Sequence, residues 1–238
     1  MKKVIASAVA AMSIAATTPA FAKDVTVEII NLTNGLYFTP LLIAVHDKDT
    51  HLFQAGVAAS TNLQAMAEGG EISGLKDEVE TAGGQVADNP ADGLLGPGES
   101  ASATLDVGKP KPGKARLSVV AMLLPTNDGF AGLDAVTIPK KKGTYRFELN
   151  GYDAGTEAND ELILGMAGGA PGVPGIPAAP GGDGGINGSG VDSPDSNTSV
   201  HIHRGTIGDT DPGGGMSDLD SRIHRWLNPV AVAVVTVH

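Results

Sequence analysis

Apolar and polar side chains alternate with a period of two along VTVEIINLT, PLLIAVHDK, SATLDV, ARLSVVAMLL, DAVTI, TYRFELNGY, SVHIH and VAVAVVTVH. Each stretch is rich in Val, Ile or Thr and is bounded by Gly, Pro, Asn or Asp, the pattern of strands separated by turns. About eight such strands in succession predict an all-β fold, an antiparallel β-sandwich. The last stretch places Val230, Val232, Val234 and Thr236 on one face and Ala231, Ala233, Val235 and Val237 on the other. Both faces are apolar over most of its length, so this strand is expected to be covered on both sides. Helical spacing occurs in one region only. Leu63 and Met66 are followed by the stop Gly69-Gly70, and Ile72, Leu75 and Val79 by the stop Gly83-Gly84. Two short helices are therefore expected between early strands, packed over a sheet edge or a sandwich end.

The chain opens MKKVIASAVAAMSIAATTPAFA, with two lysines, a stretch of small apolar residues and Ala20-Phe21-Ala22 ahead of Lys23. That is the layout of a secretory signal peptide over 1–22, which implies export to the periplasm or the cell exterior. One domain is then expected over 23–238. The formal net charge of −11 becomes −13 when Lys2 and Lys3 leave with the signal. So acidic a chain is a poor partner for nucleic acid, which is bound by clustered Lys and Arg. No later apolar stretch has the length of a membrane-spanning helix, so stable membrane insertion is not expected. Cysteine is absent; an exported fold of this kind rests on its core or on bound metal instead of disulfides. Between about 167 and 190 Gly and Pro dominate, and Pro171, Pro174, Pro177 and Pro180 recur every third residue. This reads as an extended loop inserted within the domain, since strand-like sequence resumes at Val200.

Candidate chemistry lies in the loops. Calcium takes several hard oxygen ligands, and loops at one end of a sandwich can converge carboxylates and carbonyls on it. Three acidic stretches qualify by composition: LPTNDGFAGLDAV with Asp128 and Asp134, NGYDAGTEANDE with Asp153, and GDTDPGGGMSDLD with Asp209, Asp211, Asp218 and Asp220. None has the ligand ladder of an EF-hand loop, and a solvated acidic rim is the plain alternative. His201 and His203, two apart on an expected strand, face one side and offer a second possibility, a transition-metal or small-molecule site of a periplasmic binding protein, with His224 as a third donor. For catalysis the chain has no G-x-S-x-G elbow, no phosphate-binding loop and no cysteine nucleophile, so a non-enzymatic role is expected.

Several segments together resemble the spondin domain, the amino-terminal module of F-spondin and mindin that also occurs in bacterial exported proteins. HLFQAGVAASTNLQAMAEGGEISGLKDEVETAG resembles the family's paired short helices, and ARLSVVAMLLPTNDGFAGLDAV resembles its P-S-P-D-W-F-V-G-V-D-S stretch, with Gly129 in the place of the tryptophan. NGYDAGTEA resembles Y-P-Y-D-A-G-T-D-S, and WLNPVAVAVVTV fits the closing strand. The order of all four agrees, from about Val25 to Val237. The resemblance implies a β-sandwich holding Ca2+ in loops at one end. Carried over by position, it implies Asp128 and Asp153 as ligands, with Asp134 as a ligand or a supporting partner. It further implies a role in cell-surface or matrix adhesion, toward a protein or glycan partner that the residues do not identify.

Overall fold

The computed structural model describes residues 24–107, 114–161, 196–211, 215–217 and 219–238, together with two short strands at 166–167 and 176–177. The expected signal peptide and most of the Gly/Pro-rich stretch lie outside the described residues. The strands are β1 (Asp24–Asn31), β2 (Tyr37–Phe38), β3 (Leu42–His46), β4 (Gln85–Asp88), β5 (Ser100–Asp106), β6 (Arg116–Leu124), β7 (Gly129–Thr137), β8 (Gly143–Asp153), β9 (Met166–Ala167), β10 (Ile176–Pro177), β11 (His201–Ile202) and β12 (Ala231–Val237), with helices α1 (Thr61–Gly69) and α2 (Ser73–Thr81) between β3 and β4.

The fold is all-β with two helices. One sheet runs in the order β4-β3-β6-β7-β8-β12-β1-β5, with β2 added to β6 and β11 to β8. Every pairing is antiparallel. The ribbon curls until its two edges approach, where the Asp106 N–H donates to Gln85 Oε1 at 3.2 Å, so the sandwich is nearly a closed barrel. Alternation sets which side chains fill it. In β1, Val25, Val27 and Ile29 are fully buried while the residues between them are half-exposed. They meet Ala233, Val235 and Val237 of β12 and Leu117, Val119, Ala121 and Leu123 of β6 in one interior core.

The intervening residues of β6, Val120, Met122 and Leu124, face outward into a second core with Leu42, Ala44 and Phe130. The helices close this second core through Leu63, Met66, Leu75 and Val79. The helices thus cover a sheet face, where an edge or sandwich end was expected, because β3 and β6 are apolar on both faces and need a second layer. Their limits follow the sequence. Ser60 caps α1 by accepting the Leu63 N–H at 3.1 Å, and Gly70, at φ 69°, ends it with its N–H on the Met66 carbonyl. That backbone region suits glycine.

The registers define two ends. His46 lies opposite Arg116, Arg116 opposite Thr137, Gly143 opposite Val237, and Asp24 opposite Asp106, which places all these residues at one end. The β6–β7 turn, the end of β8, β11 and the loops from 153 to 161 and from 203 to 230 lie at the other.

Candidate functional site

At this second end β7 begins where β8 finishes, with Gly129 in register with Asp153. The turn before β7 is fixed by Thr126, whose Oγ1 donates to the Leu123 carbonyl at 2.6 Å and accepts the Gly129 N–H at 3.0 Å. Asp128 is thereby held against the chain that leaves β8, and its carbonyl accepts the Ala154 N–H at 3.2 Å. Its Oδ2 accepts from the Thr156 N–H at 2.8 Å, the Glu157 N–H at 3.1 Å and the Thr156 hydroxyl at 3.2 Å. Its Oδ1 is buried and has no hydrogen-bond partner among the described residues. Asp153 accepts the Gly155 N–H on Oδ1 at 2.8 Å and the Asn159 side-chain amide on Oδ2 at 2.6 Å. Gly155, at φ 72°, cannot take a side chain, since a Cβ there would stand 2.8 Å from the Asn197 carbonyl oxygen.

The electrostatics are unusual for surface loops. Asp128 and Glu157 are 0% exposed and Asp153 1%. Burial, reinforced by the neighbouring Asp153 charge, pushes the Asp128 carboxyl up to about 7 despite its hydrogen bonds. Among the described residues no arginine or lysine pairs with Asp128 or Asp153, and the ion-pair candidate there is His201 Nδ1, at 3.7 Å from Asp153 Oδ1. Leaving buried carboxylates this close without a compensating cation is costly. A hard divalent cation fits this donor set of carboxylate oxygens, one of them without a partner, among turns rich in carbonyls. Among the described residues no three His, Cys, Asp or Glu side chains form a metal-binding cluster, so carbonyl or water oxygens would have to complete the shell.

The structure brings together two of the three carboxylates expected here. Asp134 stands six residues along β7 from Asp128, about 20 Å at strand spacing. There it accepts the Leu52 N–H at 2.9 Å and the Ser118 hydroxyl at 3.2 Å on Oδ1, and pairs with His51 Nδ1 at 2.5 Å. It ties the loop after β3 to the sheet. The buried Glu157, four residues after Asp153, joins the site through its backbone. Its signal in the sequence was the acidic run GTEANDE itself.

The histidines do not converge. His203 is buried with its Nδ1 accepting the Gly205 N–H at 2.9 Å, which places the ring proton on Nε2; burial holds the ring down to about 4, neutral at pH 7. It packs against Trp226 at 5.0 Å between ring centres. His201 Nδ1 donates to the Ser199 carbonyl at 2.8 Å, and His224 Nδ1 accepts the Asp220 N–H at 3.0 Å. Asp209 and Asp220, on a separate loop, accept neighbouring backbone N–H groups or pair with Arg222.

Glycine makes room for the two aromatic rings. A Cβ on Gly129 would lie 3.0 Å from His203 Cδ2, and one on Gly151 would lie 2.4 Å from Trp226 Cη2. Comparison with known families finds that the model described as Spondin_N matches residues 17–161, a span from before β1 to the end of the carboxylate loop. No curated protein matches the chain.

Proposed function

Because the chain belongs to the spondin amino-terminal domain family, a family of extracellular-type modules, we propose that it is an exported, non-enzymatic module that holds one calcium ion between Asp128 and Asp153. The module presents the surrounding loops to a protein or glycan partner in cell-surface or matrix adhesion. The observation that carries this reading is the buried Asp128 Oδ1, an acceptor without a donor among the described residues, beside a second buried carboxylate. The bound ion would supply the positive charge that these side chains lack. Asp128 and Asp153 would hold it, while Thr156, Glu157 and Gly155 keep their backbone N–H groups on the outer carboxylate oxygens and fix their direction. Calcium is favoured over magnesium because a loop shell of carboxylates and carbonyls is irregular, and magnesium demands near-octahedral geometry.

The non-enzymatic reading draws support from the one hydrogen bond between a serine hydroxyl and a histidine ring found among the described residues. Ser118 Oγ lies 2.8 Å from His46 Nε2, but both residues are 0% exposed, so no substrate reaches them. Export rests on the leader-like 1–22 stretch, and no helix among the described residues is long and apolar enough to cross a membrane.

Thermal unfolding tests the site. At calcium a hundredfold above its dissociation constant the folded state gains about 2.7 kcal/mol, and the melting temperature of a domain this size rises by about 5–10 °C. Magnesium at matched ionic strength is expected to give much less. An Asp153→Ala protein that melts as the wild type does, with and without calcium, refutes the assignment.

A further inference from the structure

At the end of the sandwich remote from Asp128 and Asp153, basic side chains gather on one side. Lys114 and Arg116 lead into β6, and Lys140, Lys141 and Lys142 form the turn between β7 and β8. The two segments are adjacent, since the Ile138 N–H donates to the Ala115 carbonyl at 3.2 Å and Arg116 is in register with Thr137. The four lysines are exposed and Arg116 is half-exposed. Lys114, Arg116, Lys141 and Lys142 make no ion pair among the described residues, whereas Lys48 at the same end is paired with Asp49. Five cationic side chains thus stand on two neighbouring segments, beside Asp47 and Asp49 and with Asp24 and Asp106 farther round the same end, and they form a local basic patch on a chain with a net charge of −11.

We propose that this end binds a hydrophilic polyanion, an anionic polysaccharide carrying sulfate, carboxylate or phosphate groups. Three observations select that class. The large exposed apolar side chains, Leu32, Ile207, Met216 and Leu227 among them, sit on loops of the opposite end, so these turns have nothing to insert into a bilayer. A broad anionic membrane would also face the acidic flanks, which repel it, while a thin chain can lie across the turns alone. A second copy of the protein is a poor occupant because carboxylates described at the other end are engaged internally: Glu161 accepts the Ile207 and Gly208 N–H groups and Asp220 pairs with Arg222. The site stands apart from the proposed calcium site and does not depend on it.

Retention on immobilised heparin, used as the probe polysaccharide, tests the proposal. A protein of this net charge should be repelled by heparin unless a local basic surface captures it. The wild type is expected to bind at low salt, with affinity falling on the order of a hundredfold between about 50 and about 200 mM salt, as for release of counterions by four or five contacts. Lys140→Glu/Lys141→Glu/Lys142→Glu should abolish retention while melting as the wild type does; Arg225→Glu, at the other end, should leave it unchanged. Calcium and Asp153→Ala should not alter it, which separates this site from the other. Failure of the wild type to bind, equal binding by the triple variant, capture by phosphatidylglycerol vesicles without heparin binding, or salt-sensitive self-association through the lysine turn would each overturn it.

Discussion

Replacing Asp128 by asparagine should stabilise the cation-free protein and remove its response to calcium. The folded carboxyl titrates near 7 because it is buried beside Asp153, while the same group in the unfolded chain titrates near 4. Between those values the folded state keeps a proton that unfolding releases, so this group's contribution to stability falls as pH rises through that interval. The loss is about 1.4 kcal/mol per pH unit, reaching about 4 kcal/mol above pH 7. Asparagine carries no such charge. Its carbonyl can take the place of Oδ2, which accepts from Thr156 and Glu157, and its amide can fill the position of the partnerless Oδ1 with a donor facing Asp153. Urea unfolding of both proteins in chelator, from pH 4 to 8, gives the difference directly. The variant's advantage should be smallest near pH 4, grow steadily to pH 7 and then level off; with calcium the order should reverse above pH 7, where only the wild type binds. A difference that does not change with pH, or a variant that gains as much from calcium as the wild type, refutes the reasoning.

The difference is the quantity to measure because His203 acts in the opposite sense. Burial lowers its folded pKa to about 4, below the unfolded value near 6.5, so its contribution is complete above pH 6.5 and is lost as pH falls toward 4, by about 3 kcal/mol. His203→Asn, which can keep an acceptor for the Gly205 N–H, should therefore cost less at pH 4.5 than at pH 7, read by the same unfolding curves. Gly151→Ala should destabilise the protein by about 1–3 kcal/mol by displacing the Trp226 ring. Since Trp226 is the chain's one tryptophan, its emission should shift to the red; an unshifted spectrum with unchanged stability would show that the ring is not held as described.

The strand pattern was legible where one residue type dominated each face. β1, β6 and β12 follow directly from their alternation, and β12 is buried on both sides from Ala231 to Ala233, as its two apolar faces require. β7 was not legible in full. LPTNDGFAGLDAV reads as an acidic loop leading into the strand DAVTI, and that reading, with the family resemblance, grouped Asp134 with Asp128. In the fold the strand starts at Gly129, because Gly129 and Gly132 give up side-chain volume to His203, Phe53 and Tyr152. Packing, invisible in local sequence, turned turn-forming residues into strand residues and carried Asp134 to the middle of the sheet. The short β4 was missed for a related reason: QVAD has a single strongly apolar position and pairs only because β3 offers it an edge. The Asp128 and Asp153 pairing was legible through the family resemblance, while the burial that makes it electrostatically active came from loops with no periodic signal.

β6 separates two apolar layers, with Val119 and Ala121 in one and Val120 and Met122 in the other. A strand shared in this way cannot be stripped from either layer without opening both, so the helical cover and the barrel interior melt as one cooperative unit. The carboxylate turn follows this strand directly, with Asp128 four residues beyond Leu124. The loops of the acidic end therefore hang from the last part of the molecule to open, and their geometry persists through the local fluctuations that would blur a site carried on an edge strand.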